Sequence, residues 1–155
     1  PMSVKPIPDG YHTITPYLHV PDTAAAIAFY EKALGATELY RLPMPGGGVA
    51  HAEVQVGDSR FMMADENPQW QNPSPKTLGG STGGYALYVA DADAAFDKAV
   101  AAGATVMKPV QDQFWGDRSG SVIDPFGHVW TFLTHIEDVA PAEMQARMEK
   151  MFAAA

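Results

Sequence analysis

A histidine and a glutamate stand two residues apart, His51 and Glu53, inside the run VAHAEVQV (49–56). The run alternates strictly, so it reads as a β-strand. His51, Glu53 and Gln55 share one face, and Ala50, Ala52, Val54 and Val56 share the other. An imidazole takes or gives a proton near neutral pH, and a carboxylate beside it can orient the ring. The same pair could touch one ion. The competing explanation is a sheet face turned to water, which alternates in the same way.

The run FWGDR (114–118) is the second candidate. Trp115 offers a flat apolar wall, and Arg118 offers a planar fork of donors for a carboxylate or phosphate. Alternatively, Arg118 pairs with Asp117 or Asp124 and fixes the loop, while Trp115 packs. Tyr17 stands two residues from Thr15, so on a strand both share a face and could line a cavity. Met63, Trp130 and Thr131 are further candidate wall residues, although neighbours such as Trp130 and Thr131 point to opposite faces. Met62 and Met63 also suit core filling. Among the histidines, His19 reads as structural, His128 as solvated or bonded in a turn, and His135 as an anchor for the tail. The role of His12 stays open. Pro1 reads as the residue left by removal of an initiator Met. A catalytic N-terminal proline is the alternative, with nothing nearby that would build its pocket.

Composition removes whole classes of chemistry. The chain has 155 residues and no cysteine, which excludes disulfides, zinc–thiolate sites, iron–sulfur clusters and cysteine nucleophiles. Its net charge of −8 opposes binding to nucleic acid, which needs clustered Lys and Arg. No apolar run is long enough to span a membrane, and no signal peptide is evident. A cytoplasmic location is expected. The triplet Gly46-Gly47-Gly48 lacks the Lys-Ser/Thr of a phosphate loop, and no G-x-S-x-G elbow occurs.

The elements that must position these residues occur twice. Asp117–Asp138 (DRSGSVIDPFGHVWTFLTHIED) reads as a hairpin turned by Asp124-Pro125-Phe126-Gly127. In the first half, strands are expected over 12–20, 37–42, 49–56 and 59–64, with a helix over 24–34 that ends at Gly35. Leu18-x-Val20-x-Asp22 returns as Leu87-x-Val89-x-Asp91, offset by 69 residues, and Gly35-Ala36-Thr37 returns as Gly103-Ala104-Thr105, offset by 68. Shared order makes this an internal duplication. Its modules are 12–65 and 85–138, joined by a Pro/Gly-rich linker or lid over 66–84. A terminal helix lies within 139–155, with Met144, Met148, Met151 and Phe152 on one side, and reads as a strap docked on the body.

Two tandem βαβββ modules, with HAEVQVGDSRFMMADE (51–66), SPKTLGG (74–80) and FWGDRSGSVIDPFGHVWTFLTHIEDV (114–139), resemble the vicinal oxygen chelate superfamily. The likeness is closest to the PhnB-like branch of its glyoxalase/bleomycin-resistance-type proteins. The resemblance covers residues 12–152. It implies an α+β fold in which two modules form curved mixed sheets that enclose a cup-shaped cavity, usually in a homodimer.

In metal-using members, four His or Glu ligands bind a divalent cation. The resemblance places those positions here at Thr15, Met62 (or Met63 one residue on), Gly84 and Thr131. None suits a hard or borderline cation. The expectation is therefore a small-molecule binder without the usual metal site, with no cofactor. His51 and Glu53 are the catalytic candidates; Thr15, Tyr17, Met63, Trp115, Arg118, Trp130 and Thr131 are the ligand-binding ones. The alternative is an enzyme of lyase, isomerase or dioxygenase type. It would use His51 and Glu53 for acid–base chemistry or in a rebuilt, non-standard metal site.

Overall fold

The structure is a computed structural model in which residues 3–154 are described; Pro1 lies outside them. The chain is α+β. In order it runs β1 (Tyr17–Val20), α1 (Thr23–Leu34), β2 (Thr37–Pro43), β3 (Val49–Val56), β4 (Ser59–Asp65), a 3-10 turn (Pro68–Trp70), α2 (Pro75–Leu78), β5 (Gly84–Tyr88), α3 (Ala92–Ala102), β6 (Thr105–Asp112), β7 (Asp117–Ile123), β8 (Val129–His135) and α4 (Pro141–Ala153). The two sheets have the same topology, β1-β4-β3-β2 and β5-β8-β7-β6. In each, the first strand runs parallel to the fourth and the remaining pairs are antiparallel. This is the βαβββ repeat expected from the duplicated motifs.

The local signals act as their chemistry requires. Asp22 and Asp91 cap α1 and α3, each accepting from the backbone N–H three residues on. Gly35 closes α1 in the left-handed conformation, φ 66°, which a Cβ would oppose. Gly127, φ 92°, gives the β7–β8 turn its reversal, and a Cβ there would meet Pro75 at 2.8 Å.

The chain divides into two compact units. The first runs to Thr82 and takes in Pro125–His128; the second holds Gly83–Asp124 and the chain from Val129. In the first, Leu18, Val20, Ala52, Val54, Phe61 and Met63 are buried, as are Ile27 and Tyr30 of α1. The Tyr30 ring meets Phe61 edge-on at 5.7 Å, and Phe126 closes on Phe29 at 6.0 Å. Burial of this set by α1 is the main stabilising term of the unit. In the second unit Phe96 and Ala99 of α3 and Val122, Trp130 and Phe132 of the sheet are buried.

Three expectations change, and one segment gains detail. The first strand is shorter than 12–20, because the pairing with β4 begins at Tyr17↔Met62. Pro16 has no N–H to donate, and the Thr15 hydroxyl bonds locally to the His12 carbonyl. Thr15 therefore lies outside the strand and does not share a strand face with Tyr17. The segment 66–84, expected as a linker or lid, carries hydrogen bonds of its own. Glu66 accepts from the Ser74 amide at 2.6 Å and from the Thr77 hydroxyl, and buried Asn72 donates to the Asp65 carbonyl. These bonds, with Ser74 capping α2, give the segment a fixed shape. Asp117 and Arg118 belong to β7 rather than to a preceding loop. Finally, α4 contains no buried residue, and Met151 and Phe152 are 50% and 68% exposed. Its docking rests on Arg147, which donates to the Glu137 carboxylate and the Phe114 carbonyl.

Candidate functional site

Sheet register assembles the site in the first unit. Tyr17 lies opposite Met62, and Met62 lies opposite Glu53. Cross-strand partners point the same way, so Tyr17, Glu53 and, two residues along, His51 share one sheet face. It is the face opposite the buried set that packs with α1.

There the three side chains form a chain of hydrogen bonds. His51 Nε2 lies 2.9 Å from Glu53 Oε2, and His51 Nδ1 lies 2.8 Å from the Tyr17 hydroxyl. A carboxylate accepts, so Nε2 carries the hydrogen and donates to Glu53. The neutral ring then has its lone pair at Nδ1, and Tyr17 donates to it. The His51 and Glu53 side chains are 24% and 23% exposed, which separates them from a freely solvated face. Burial lowers the His51 pKa and raises that of Tyr17. Both groups are held neutral near pH 7.

A pocket of about 180 Å³ adjoins this chain through Tyr17. One wall is Tyr17, His19 and His128; another is Pro73, Pro75 and Leu78; Gly80, Ser81 and Thr82 complete it. All nine residues belong to the first unit. His128 is buried, and its Nε2–H donates to the His19 carbonyl at 3.0 Å, so of the two roles expected for it, solvated or bonded in a turn, the first does not hold. The Tyr17 and His19 rings lie 5.4 Å apart. Burial, with the charge of His128, lowers the pKa of His19.

The other expected wall residues lie elsewhere. Met63 is fully buried in the first core; its register with Leu18 points it away from Tyr17. Trp130 is also buried and donates Nε1–H to Asp124 at 2.8 Å. Thr131 bonds Ser121 at 2.7 Å. Trp115 donates to Asp117 at 3.1 Å. Arg118 pairs with neither Asp117 nor Asp124. It donates twice to Asp93 of α3, at 2.6 and 2.9 Å, and once to Asp112 of β6, at 3.0 Å. Its fork is spent within the second unit.

Sequence reasoning missed a polar cluster in that unit. Asp117 is 3% exposed, and its carboxylate accepts from the Tyr88 hydroxyl, Trp115 Nε1 and His135 Nδ1. His135 also donates to Asp138 at 2.7 Å, which supports its expected role at the start of the tail. No local pattern announces the cluster, because its members come from β5, β7, β8 and the turn before β7.

The family's metal positions do not fit a metal. Thr131 and Thr15 hydroxyls are engaged, Met62 is a soft donor, and a Cβ on Gly84 would press on the Val129 carbonyl at 3.0 Å. Among the described residues, no group of three or more His, Cys, Asp or Glu is arranged to hold a metal ion. Nor, among them, is any helix long and apolar enough to cross a membrane.

The fold has its relatives in one family. The chain belongs to the Glyoxalase/Bleomycin resistance protein/Dioxygenase superfamily, whose family model matches residues 11–132. It is 43% identical to the uncharacterised protein Mb0911c of Mycobacterium bovis over 138 residues, 87% of this chain and 91% of the relative. Among solved structures it is similar to TioX from Micromonospora sp. ML1, with a TM-score of 0.64 and 28% identity over 81% of this chain and 99% of TioX. The PhnB protein of Bacillus cereus shares the fold, with a TM-score of 0.60 and 18% identity over 79% and 99%. The PhnB-like resemblance read from the sequence agrees with these likenesses.

Proposed function

We propose that this protein binds a small molecule in the pocket beside Tyr17, without the metal site usual in its family. The pocket is the observation that carries this reading. It combines apolar walls, at Pro73, Pro75 and Leu78, with a few converging polar groups, which is how small-molecule sites are built. Its size, below the roughly 300–1,000 Å³ of drug-sized sites, favours a ligand of one ring or less. The test is a titration of ¹⁵N-labelled protein with small aromatic and alicyclic compounds. Shifts confined to residues around Tyr17, His19 and Thr82 are expected, and a Thr82→Trp variant that fills the pocket should abolish them. Shifts scattered over the surface, or unchanged by that variant, would overturn the reading.

The Tyr17–His51–Glu53 chain supports a second reading, acid–base catalysis on the bound molecule. A neutral imidazole held by a carboxylate is a competent base. A compound bound in the pocket, followed by proton NMR over hours, separates the two. Conversion by the parent but not by His51→Gln supports an enzyme, and an unchanged ligand with both supports a binder. The family likeness also supports a homodimer. Light scattering should give twice the 16.6 kDa of one chain.

A further inference from the structure

We propose that His135 is a proton-operated clasp for the C-terminal segment. With a hydrogen on each ring nitrogen it ties Asp138 to the buried Asp117. With one hydrogen it keeps Asp117 and lets Asp138 go, which loosens the approach to α4. The inference concerns the second unit alone and does not depend on what the pocket binds.

The positions of the two acceptors carry the argument. His135 Nδ1 lies 2.8 Å from Asp117 Oδ1, and Nε2 lies 2.7 Å from Asp138 Oδ1. A carboxylate only accepts, so both ring nitrogens must donate, and only the imidazolium has a hydrogen on each. The two carboxylates differ in what they lose without the ring. Asp117 is buried and would keep only the Tyr88 and Trp115 donors, at a desolvation cost. Asp138 stands in water, which replaces the lost bond. When the ring gives up one proton, the remaining hydrogen therefore stays on Nδ1, and the Asp138 bond opens.

The clasp sits where the chain leaves the body. The Ile136 and Glu137 amides both donate to the Gly116 carbonyl, at 2.9 and 3.0 Å. Gly116, φ 101°, has no Cβ to strike the Glu137 carbonyl that lies over it. These bonds hold the chain as far as Glu137 at any pH. Beyond it, α4 has no side-chain cap and no buried residue, so the Asp138 clasp backs up the Arg147 bonds that dock it. The charges that neighbouring elements bring are paired among themselves. Arg147 pairs with Glu137 and Glu143, and Arg118, on the opposite sheet face, pairs with Asp93 and Asp112. The Tyr88 hydroxyl of β5 stays neutral, because its bond to Asp117 raises its pKa. His135 is thus the member that changes charge near neutral pH. Its bonds to Asp138 and then Asp117 raise its pKa above 6.5. The clasp is closed below about pH 6.5 and opens as pH rises through the folded value.

The test is NMR of the whole chain between about pH 5.5 and pH 9. Ring ¹⁵N shifts of His135 tell which nitrogen carries a hydrogen, and hydrogen exchange of the α4 amides, corrected for the intrinsic rate, reports docking. Above the His135 midpoint, Nε2 should have lost its hydrogen and Nδ1 should keep it. The Asp138 and Val139 amide shifts should move with that same midpoint. Protection of the α4 amides should fall about two- to fivefold across it, the size of one exposed charge pair. Asp138→Ala, a change at a side chain in water, should show the lower protection at every pH. Arg147→Gln removes the second tie, so it should enlarge the step. Well-dispersed spectra confirm that each variant is folded. The proposal is overturned if the hydrogen leaves Nδ1 instead, or if Asp138→Ala keeps the step. It is equally overturned if α4 protection is the same on both sides of the midpoint in the parent and in Arg147→Gln.

Discussion

The Tyr17 hydroxyl lies 2.8 Å from Nδ1 of His51, although 34 residues separate the two in the chain. The contact exists because β1 and β3 both pair with β4, which brings their side chains to one face. It turns an isolated His–Glu pair into a chain of three groups that ends at a pocket.

The histidines should titrate in opposite directions. Burial lowers His51, and burial with His128 lowers His19, from the ordinary value of 6.5. Hydrogen bonds to Asp138 and then Asp117 raise His135. Ring NMR titration between about pH 5 and pH 9 should find His51 and His19 below 6.5 and His135 above it.

The linkage signs follow from these directions. The folded state binds the His135 proton more tightly than the unfolded state. Its contribution is full below about pH 6.5 and is lost as pH rises through the folded value. For His51 and His19 the unfolded state binds the proton more tightly, so stability falls as pH drops from 6.5 through their folded values. In urea unfolding, His135→Gln should flatten the decline on the alkaline side and leave the acid side as it is.

Asp117→Asn should destabilise the protein by about 2–4 kcal/mol. Burial opposes the charge of Asp117, yet bonds from His135, Tyr88 and Trp115 outweigh it and hold its pKa below the usual carboxylate range. The amide presents an NH2 group, with two donor hydrogens, where three donors converge. Equilibrium urea unfolding measures the loss. A change below about 0.5 kcal/mol would contradict the cluster's importance.

Arg118→Ala should cost little stability despite its three hydrogen bonds. Its side chain is 36% exposed and its partners are 50% and 67% exposed, so water screens the pairs. Because Arg118 does not line the pocket, binding of small aromatic compounds there should not change. Urea unfolding and the amide titration check the two halves of this prediction.

Protein purified without chelator or affinity tag should carry well under one equivalent of Zn, Ni, Mn or Fe by elemental mass spectrometry. A His51→Ala, Glu53→Ala double variant should give the same content. Near-stoichiometric metal in the parent, lost from the variant, would mean a rebuilt site around His51 and Glu53.

Much of the fold was legible because its signals are local. The caps at Asp22 and Asp91, the helix stop at Gly35, the alternation of Val49–Val56 and the turn at Gly127 each depend on a few neighbouring residues. Their repetition told the topology twice. The shared face of His51 and Glu53 was legible for the same reason, since a strand has a period of two. What tertiary structure alone decided were the partners. Arg118 chose Asp93 and Asp112 over Asp117 and Asp124, because β7 lies beside β6 and packs with α3. Trp130 and Met63 went inward because register, not residue type, set their direction. The pocket needed Tyr17 and His19 from one strand, residues 73–82 from a segment read as a linker or lid, and His128 from a turn about 110 residues downstream of His19. Such meetings follow from strand pairing and side-chain packing between distant segments, and no local spacing encodes them.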